Sequence, residues 1–73
     1  MQRLTEISQT TEKRIVDITA EPELRERLLE MGLAPGRTLR RLGSLPFGGP
    51  TIVQAGSLFL ALRRNEAESV WVE

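Results

Sequence analysis

The chain has 73 residues, room for one compact domain and no more, and 40% of them are apolar. Ten Lys and Arg balance ten Asp and Glu, so no net field draws the chain onto nucleic acid or an acidic membrane. With no Cys and no His, the sequence excludes disulfide staples, thiol or imidazole catalysis and the usual zinc ligands. A domain this small buries only about 60% of the surface its unfolded chain exposes, so its core must be economical.

Residues 1 to 12 read as an irregular lead-in. Leu4 and Ile7, three apart, suit one helical turn laid across a barrel end, and Gln9-Thr10-Thr11 is a polar turn. Lys13 to Thr19 carries Ile15, Val16 and Ile18, a β-branched run that predicts a strand. Glu21 to Met31 is the one clear helix. Pro22 fits its first position, and Glu21 and Glu23 set negative charge at the positive end of the dipole. Leu24, Leu28 and Met31 share a face, and Leu29, off that stripe, either widens it, the favoured reading, or is exposed. Gly32 is the expected left-handed terminator, with Leu33 folding back on Leu28 as in a Schellman ending.

Ala34-Pro35-Gly36-Arg37 predicts a type II turn. Three strand-like runs follow: Thr38 to Leu42, Thr51 to Ala55 and Leu58 to Arg63. The Gly- and Pro-rich loop from Leu45 to Pro50 separates the first two, and the tight turn Gly56-Ser57 separates the last two. In the third run Leu58, Leu60 and Leu62 face one way and Phe59 and Ala61 the other. Apolar residues on both faces predict a strand in the middle of a small barrel. Asn65 to Glu68 reads as one helical turn and Val70-Trp71-Val72 as a final strand. The expectation is a mainly β barrel of about five strands, one helix inserted after the first strand, as a single domain over residues 1–73. No apolar stretch approaches the roughly 20 residues that span a bilayer, and the polar, mixed-charge start is no secretory signal. A cytoplasmic location follows as an expectation.

The stretch from Leu24 to Leu33, with Ala34-Pro35-Gly36, closely resembles the "LRxRLLEMGLxPG" signature of the FeoA family. Leu45-Pro46-Phe47-Gly48-Gly49-Pro50 is similar to that family's "APLGDP" hairpin, and Leu60 to Ala67 to its "LALRxxEA" segment. The resemblance covers residues 14 to 73. It implies an SH3-like barrel, of a kind that also ends some iron-dependent repressors. It further implies a cytoplasmic accessory of ferrous iron uptake, acting by contact with FeoB, the membrane iron permease with a GTP-binding domain. The chain departs from the family pattern at Gln9-Thr10-Thr11, where a Pro-Gly turn is common, and at Gly49, which replaces an acidic residue. Gly56 also falls about one residue early. Arg41 stands in an apolar slot, so the strand there should be shifted, bulged or exposed.

Several side chains have two readings. Leu24, Leu28, Met31 and Leu33 are core residues, while Gly32, Pro35 and Gly36 serve the backbone. Leu45 and Phe47 form either a loop-closing cluster or a docking patch. Trp71, flanked by Val70 and Val72, points outward and either covers a barrel edge or meets a partner. Arg63 and Arg64, with Glu66, read as surface or salt-bridged residues with no stability role, the two arginines doubling as candidate partner contacts. No acid–base pair, phosphate-cradling loop or activated nucleophile is present, so no catalytic, cofactor or metal residue is assigned. The only metal chemistry left is weak ferrous iron binding through carboxylates.

The leading reading is a protein-binding accessory of the FeoB-type permease, reaching the membrane only through that partner, with homo-oligomerisation left open. The alternative is a nucleic-acid-binding barrel using the doublets Arg40-Arg41 and Arg63-Arg64. Zero net charge, a single Lys and only three aromatic residues weigh against it.

Overall fold

The β-branched run predicted as a strand forms β2 (Glu12–Ile18), and the other strands are arranged around it. The computed structural model describes residues 1–8 and 11–73. The predicted turn at Gln9-Thr10-Thr11 therefore falls outside the described residues at Gln9 and Thr10. The remaining strands are β1 (Gln2–Arg3), β3 (Thr38–Ser44), β4 (Thr51–Ala55), β5 (Leu58–Leu62) and β6 (Val70–Val72). Helix α1 is Pro22–Glu30, helix α2 is Arg64–Glu68, and a single 3-10 turn spans Leu4–Glu6. All neighbouring strands are antiparallel, in the order β1-β6-β2-β3-β4-β5.

β2 belongs to two sheets at once. Glu12, Lys13 and Arg14 lie opposite Arg40, Leu39 and Thr38 of β3, whereas Ile15, Asp17 and Ile18 lie opposite Val72, Trp71 and Val70 of β6. Val16 is the extra residue of a bulge just past the change of partner. A bulge bends its strand and sharpens the twist, which lets one strand turn the corner between two sheets. Ile15, Ile18, Leu39, Val53, Leu62, Val70 and Val72 then meet in one buried core. This is the mainly β, SH3-like architecture the sequence predicts.

Two expectations need correction. The two-residue β1 adds a sixth strand, so the helix follows the second strand rather than the first. β5 is not in the middle of the barrel but ends the strand order, with β4 as its strand neighbour. Leu58 and Phe59 are correspondingly exposed, and only Leu62 is fully buried on that strand. Apolar residues on both faces mark a strand covered on both sides only when something covers the second side.

The local predictions around α1 hold bond for bond. Leu33 N–H donates to Leu28 O at 3.0 Å and Gly32 N–H to Leu29 O at 3.0 Å, the paired bonds of a Schellman ending. Leu28 and Leu33 are both fully buried, and Leu24, Leu29 and Met31 pack around them. Beyond this ending, Arg37 N–H donates to Ala34 O at 3.1 Å, and Gly36 supplies the positive φ of 94° that such a turn demands. The turn also grips β2: Gly36 N–H donates to Ile15 O at 2.7 Å, and Ile15 N–H to Arg37 O at 2.8 Å.

Arg41 does sit at a bulge. The β3–β4 register steps from Arg41↔Val53 to Gly43↔Ile52, leaving Leu42 extra. Half-buried Arg41 donates from Nη1 to Ile7 O and from Nη2 to Ser44 Oγ, each at 2.8 Å. The guanidinium thus ties the lead-in to β3, which an apolar side chain could not do.

Glu66 is salt-bridged, one of its two sequence readings, but buried rather than on the surface, so the exposure on which its lack of a stability role rested is absent. Its Oε1 accepts the Arg63 N–H at 2.8 Å, and its Oε2 accepts from Arg27 Nη2 at 2.8 Å. The first bond satisfies an orphan donor at the start of α2; the second joins α2 to α1 across the chain. Glu6 repeats the first device, accepting the Arg3 N–H at 2.7 Å ahead of the 3-10 turn. Among the described residues, no helix is long and apolar enough to cross a membrane.

Two outcomes follow from this packing. Leu28→Ala should cost about 2–5 kcal/mol and threaten folding of so small a domain, read from the urea midpoint. Glu66→Ala should cost about 1–3 kcal/mol and Glu66→Gln less, because the glutamine oxygen still accepts the Arg63 N–H. Equal thermal midpoints for wild type and Glu66→Ala would show that the buried carboxylate does no structural work.

Candidate functional site

The loop from Leu45 to Pro50 joins β3 to β4 and is closed by its own backbone. Leu45 N–H donates to Pro50 O at 3.0 Å, and Gly49 N–H donates to Pro46 O at 3.2 Å. The two residues inside that last bond both have positive φ, 60° at Phe47 and 73° at Gly48. A type I′ hairpin turn requires this of both central residues, and Asn-Gly or Gly-Gly usually supplies it. Among the described residues, Phe47 is the only non-glycine with positive φ. A β-carbon in that region crowds the carbonyl oxygen, at a cost of roughly 1–2 kcal/mol.

The Phe47 ring is fully exposed, at 104% of its reference surface. It does not fold back to close the loop. Leu45, at 52% exposure, stands beside it. The loop as folded has no room for a side chain at Gly49. A β-carbon there would lie 2.9 Å from Leu45 Cβ and 3.2 Å from Pro46 O, too close for the acidic residue of the family pattern.

The other sequence candidates are distributed around the barrel. Val70 and Val72 are buried, so Trp71 faces outward as the alternation predicts, yet it is only half-exposed. Its indole N–H donates to Thr19 Oγ1 at 2.7 Å, and the Arg3 guanidinium lies 4.8 Å from the ring centroid. Trp71 is thus engaged at the β1–β6–β2 edge, away from the β3–β4 loop. Arg63 precedes α2 and is exposed. Arg64 pairs with Glu68 at 2.9 Å on the same exposed helix face.

Arg64 also reaches a cleft of about 270 Å3 at the foot of the loop, lined by Thr5, Arg41, Ser44, Leu45 and Thr51. Leu45 and Arg64 are therefore brought together, with Phe47 at the tip of the same loop, while Trp71 and Arg63 stand apart. Sequence reasoning missed Arg41 as a lining residue, although an arginine in an apolar slot was the signal. It also missed the exposure of Leu58 and Phe59, opposite Ala55 and Gln54 on the barrel's outer edge. The loop supplies an exposed aromatic anchor on a hydrogen-bonded turn with cationic side chains beneath it, a combination suited to binding. Among the described residues, no three His, Cys, Asp or Glu side chains gather in a way that could hold a metal.

The two readings of the Phe47 turn have separate signatures. Phe47→Asn should raise stability by about 0.5–1 kcal/mol, since asparagine tolerates the left-handed region. Phe47→Ala should change it by less than about 0.5 kcal/mol, because the ring packs on nothing. A loss above 1 kcal/mol for the alanine variant in chemical denaturation would mean that the ring is structural.

The family model for the FeoA domain matches residues 2–73. Among solved structures, the chain is similar to FeoA from Chlorobium tepidum, at 35% identity over 99% of this chain and 69% of that one, with a TM-score of 0.88. It is similar to Stenotrophomonas maltophilia FeoA complexed with zinc, at 31% identity over 100% of this chain and 91% of that one, TM-score 0.83. That protein is described as a prokaryotic SH3 domain protein and a candidate activating factor of ferrous iron transport. Cadmium-bound ScaR shares the fold alone, at 22% identity and a TM-score of 0.87, this chain spanning 34% of its length and wholly covered. No curated protein sequence matches the chain.

Proposed function

The chain belongs to the FeoA family, and from that premise we propose that it serves ferrous iron uptake as a cytoplasmic docking module. Its partner is the FeoB-type membrane permease or that permease's GTP-binding domain, and its contact surface is the Leu45–Pro50 loop. The observation that carries this reading is Phe47. An aromatic side chain held at positive φ, with no intramolecular contact to reward it, works against folding. Outliers of this kind gather where a molecule meets its partner. Burying a phenylalanine in a partner's pocket is worth about 1.5–3 kcal/mol, enough for one residue to dominate a small interface. The backbone bonds that close the loop set the ring's point of attachment, so little backbone ordering entropy is lost on docking.

The action is binding rather than chemistry, since the loop and cleft hold no acid–base pair or nucleophile. The arginine doublets do not form a stripe that could track a phosphate backbone. Arg41 and Arg64 meet at one recess, whereas Arg40 faces Glu12 at 3.8 Å and Arg63 stands apart from that recess. The nucleic-acid alternative has no observation in its favour.

Calorimetric titration against the isolated GTP-binding domain and against the detergent-solubilised permease tests the proposal. Phe47→Ala should weaken binding by about tenfold or more, with an unchanged thermal midpoint. Equal affinity of the variant and the wild type for both partners would remove the loop from the interface.

A further inference from the structure

The chain has nine arginines, and Arg41 is the only one that is not exposed. Arg14, Arg27, Arg40 and Arg64 each have a glutamate within 4 Å, yet each keeps about half or more of its side chain in solvent. Arg41 has no carboxylate that close among the described residues. Among the described residues its two hydrogen bonds go to neutral acceptors, a carbonyl and a hydroxyl, and its Nε is buried with no partner. This inverts the usual pattern, in which the charge most removed from water is the one most in need of a counter-charge.

Arg41 lines the cleft at the foot of the Phe47 loop together with Arg64 and the hydroxyls of Thr5, Ser44 and Thr51. The guanidinium is pinned in place by its bonds to Ile7 and Ser44, which leave one N–H on each terminal nitrogen uncommitted, beside the buried Nε–H. A fixed fork of donors in a polar recess is the geometry that recognises a planar oxyanion. The charge count selects among oxyanions. Arg41 and Arg64 contribute two positive charges and Glu68 removes one, leaving a single positive charge to be matched. That matches a carboxylate better than a dianionic phosphate. Leu45 provides an apolar wall beside it.

We propose that this cleft receives the side-chain carboxylate of an acidic residue on the docking partner, neighbouring the apolar pocket that takes Phe47. The inference rests on the docking role of the loop but concerns a different set of atoms. It makes the recognised motif an acidic residue next to a hydrophobic pocket, and it gives Arg41 the counter-charge the fold withholds. Arg64 is the outer, adjustable donor, since its exposed pair with Glu68 is weak enough to be exchanged.

The test is nuclear magnetic resonance on the full chain, titrated at constant ionic strength with sodium acetate, sodium phosphate or sodium chloride. Acetate should produce saturable shifts at the Arg41 Nε–H and at the Gly48 and Gly49 amides, and phosphate should bind no more tightly. Arg41→Gln should abolish the response. Arg64→Gln, which leaves the fold untouched because its side chain lies in solvent, should weaken it about threefold or more. Three results would overturn the proposal: equal shifts with chloride, a tighter response to phosphate, or shifts centred on Arg14 or Arg40. Phe47→Ala keeps the acetate response whatever it does to partner binding, so a failed cleft and a failed docking loop give different results.

Discussion

The fold depends on one strand serving two sheets. β2 gives its first half to β3 and its second half to β6, and the bulge at Val16 lies where the partner has just changed. Both sheets would lose their shared edge if that strand ran straight. The helix-to-turn segment secures the corner. Its Schellman ending buries Leu28 and Leu33 in the core, and its Pro35-Gly36 turn exchanges backbone bonds with Ile15 at the same point. A motif that reads as one helix and one turn is therefore also the clamp on the bent strand.

Charged residues work at a few chosen places in this neutral chain. The paired Arg14 and Glu73 join β2 to the residue after β6, and that contact holds the Glu73 carboxyl below its ordinary value, chiefly through the hydrogen bond from Arg14. Such an exposed pair is weakened by salt and adds little. Buried Glu66 matters more, because its carboxylate satisfies the first turn of α2 where little water reaches it and also accepts from Arg27 of α1, whose own side chain stays largely in solvent. Arg41 does for the lead-in what Glu66 does for α2, tying distant backbone to the barrel through a long polar side chain.

The proposed docking surface stands apart from this scaffold. Phe47 contributes nothing to the core and sits on a turn whose closing bonds belong to the backbone alone. Functional change at the tip is therefore separable from folding. The backbone bonds of the loop set the place from which the ring projects, which suits recognition by a single anchor with a charged contact below it. The exposed pair Leu58 and Phe59 lies at the other end of β4, so the molecule carries two apolar surfaces rather than one continuous patch.

Short-range features were written in the sequence. Pro22, the Leu24–Leu28–Met31 spacing, Gly32 and the Pro35-Gly36 turn determined a helix, its ending and the turn beyond it, because each acts within a few residues of chain. The β-branched runs and their Gly and Pro punctuation determined most strands, and Arg41 in an apolar slot announced a bulge. Only the tertiary structure decided which strand became an edge, since alternation describes a strand's own two faces and not what lies against them. The burial of Glu66 depended on Arg27, 39 residues away, and the role of Arg41 on the carbonyl of Ile7, 34 residues away. Neither a polar residue's partner nor an aromatic ring's lack of one can be read until folding brings remote parts of the chain within a few ångströms.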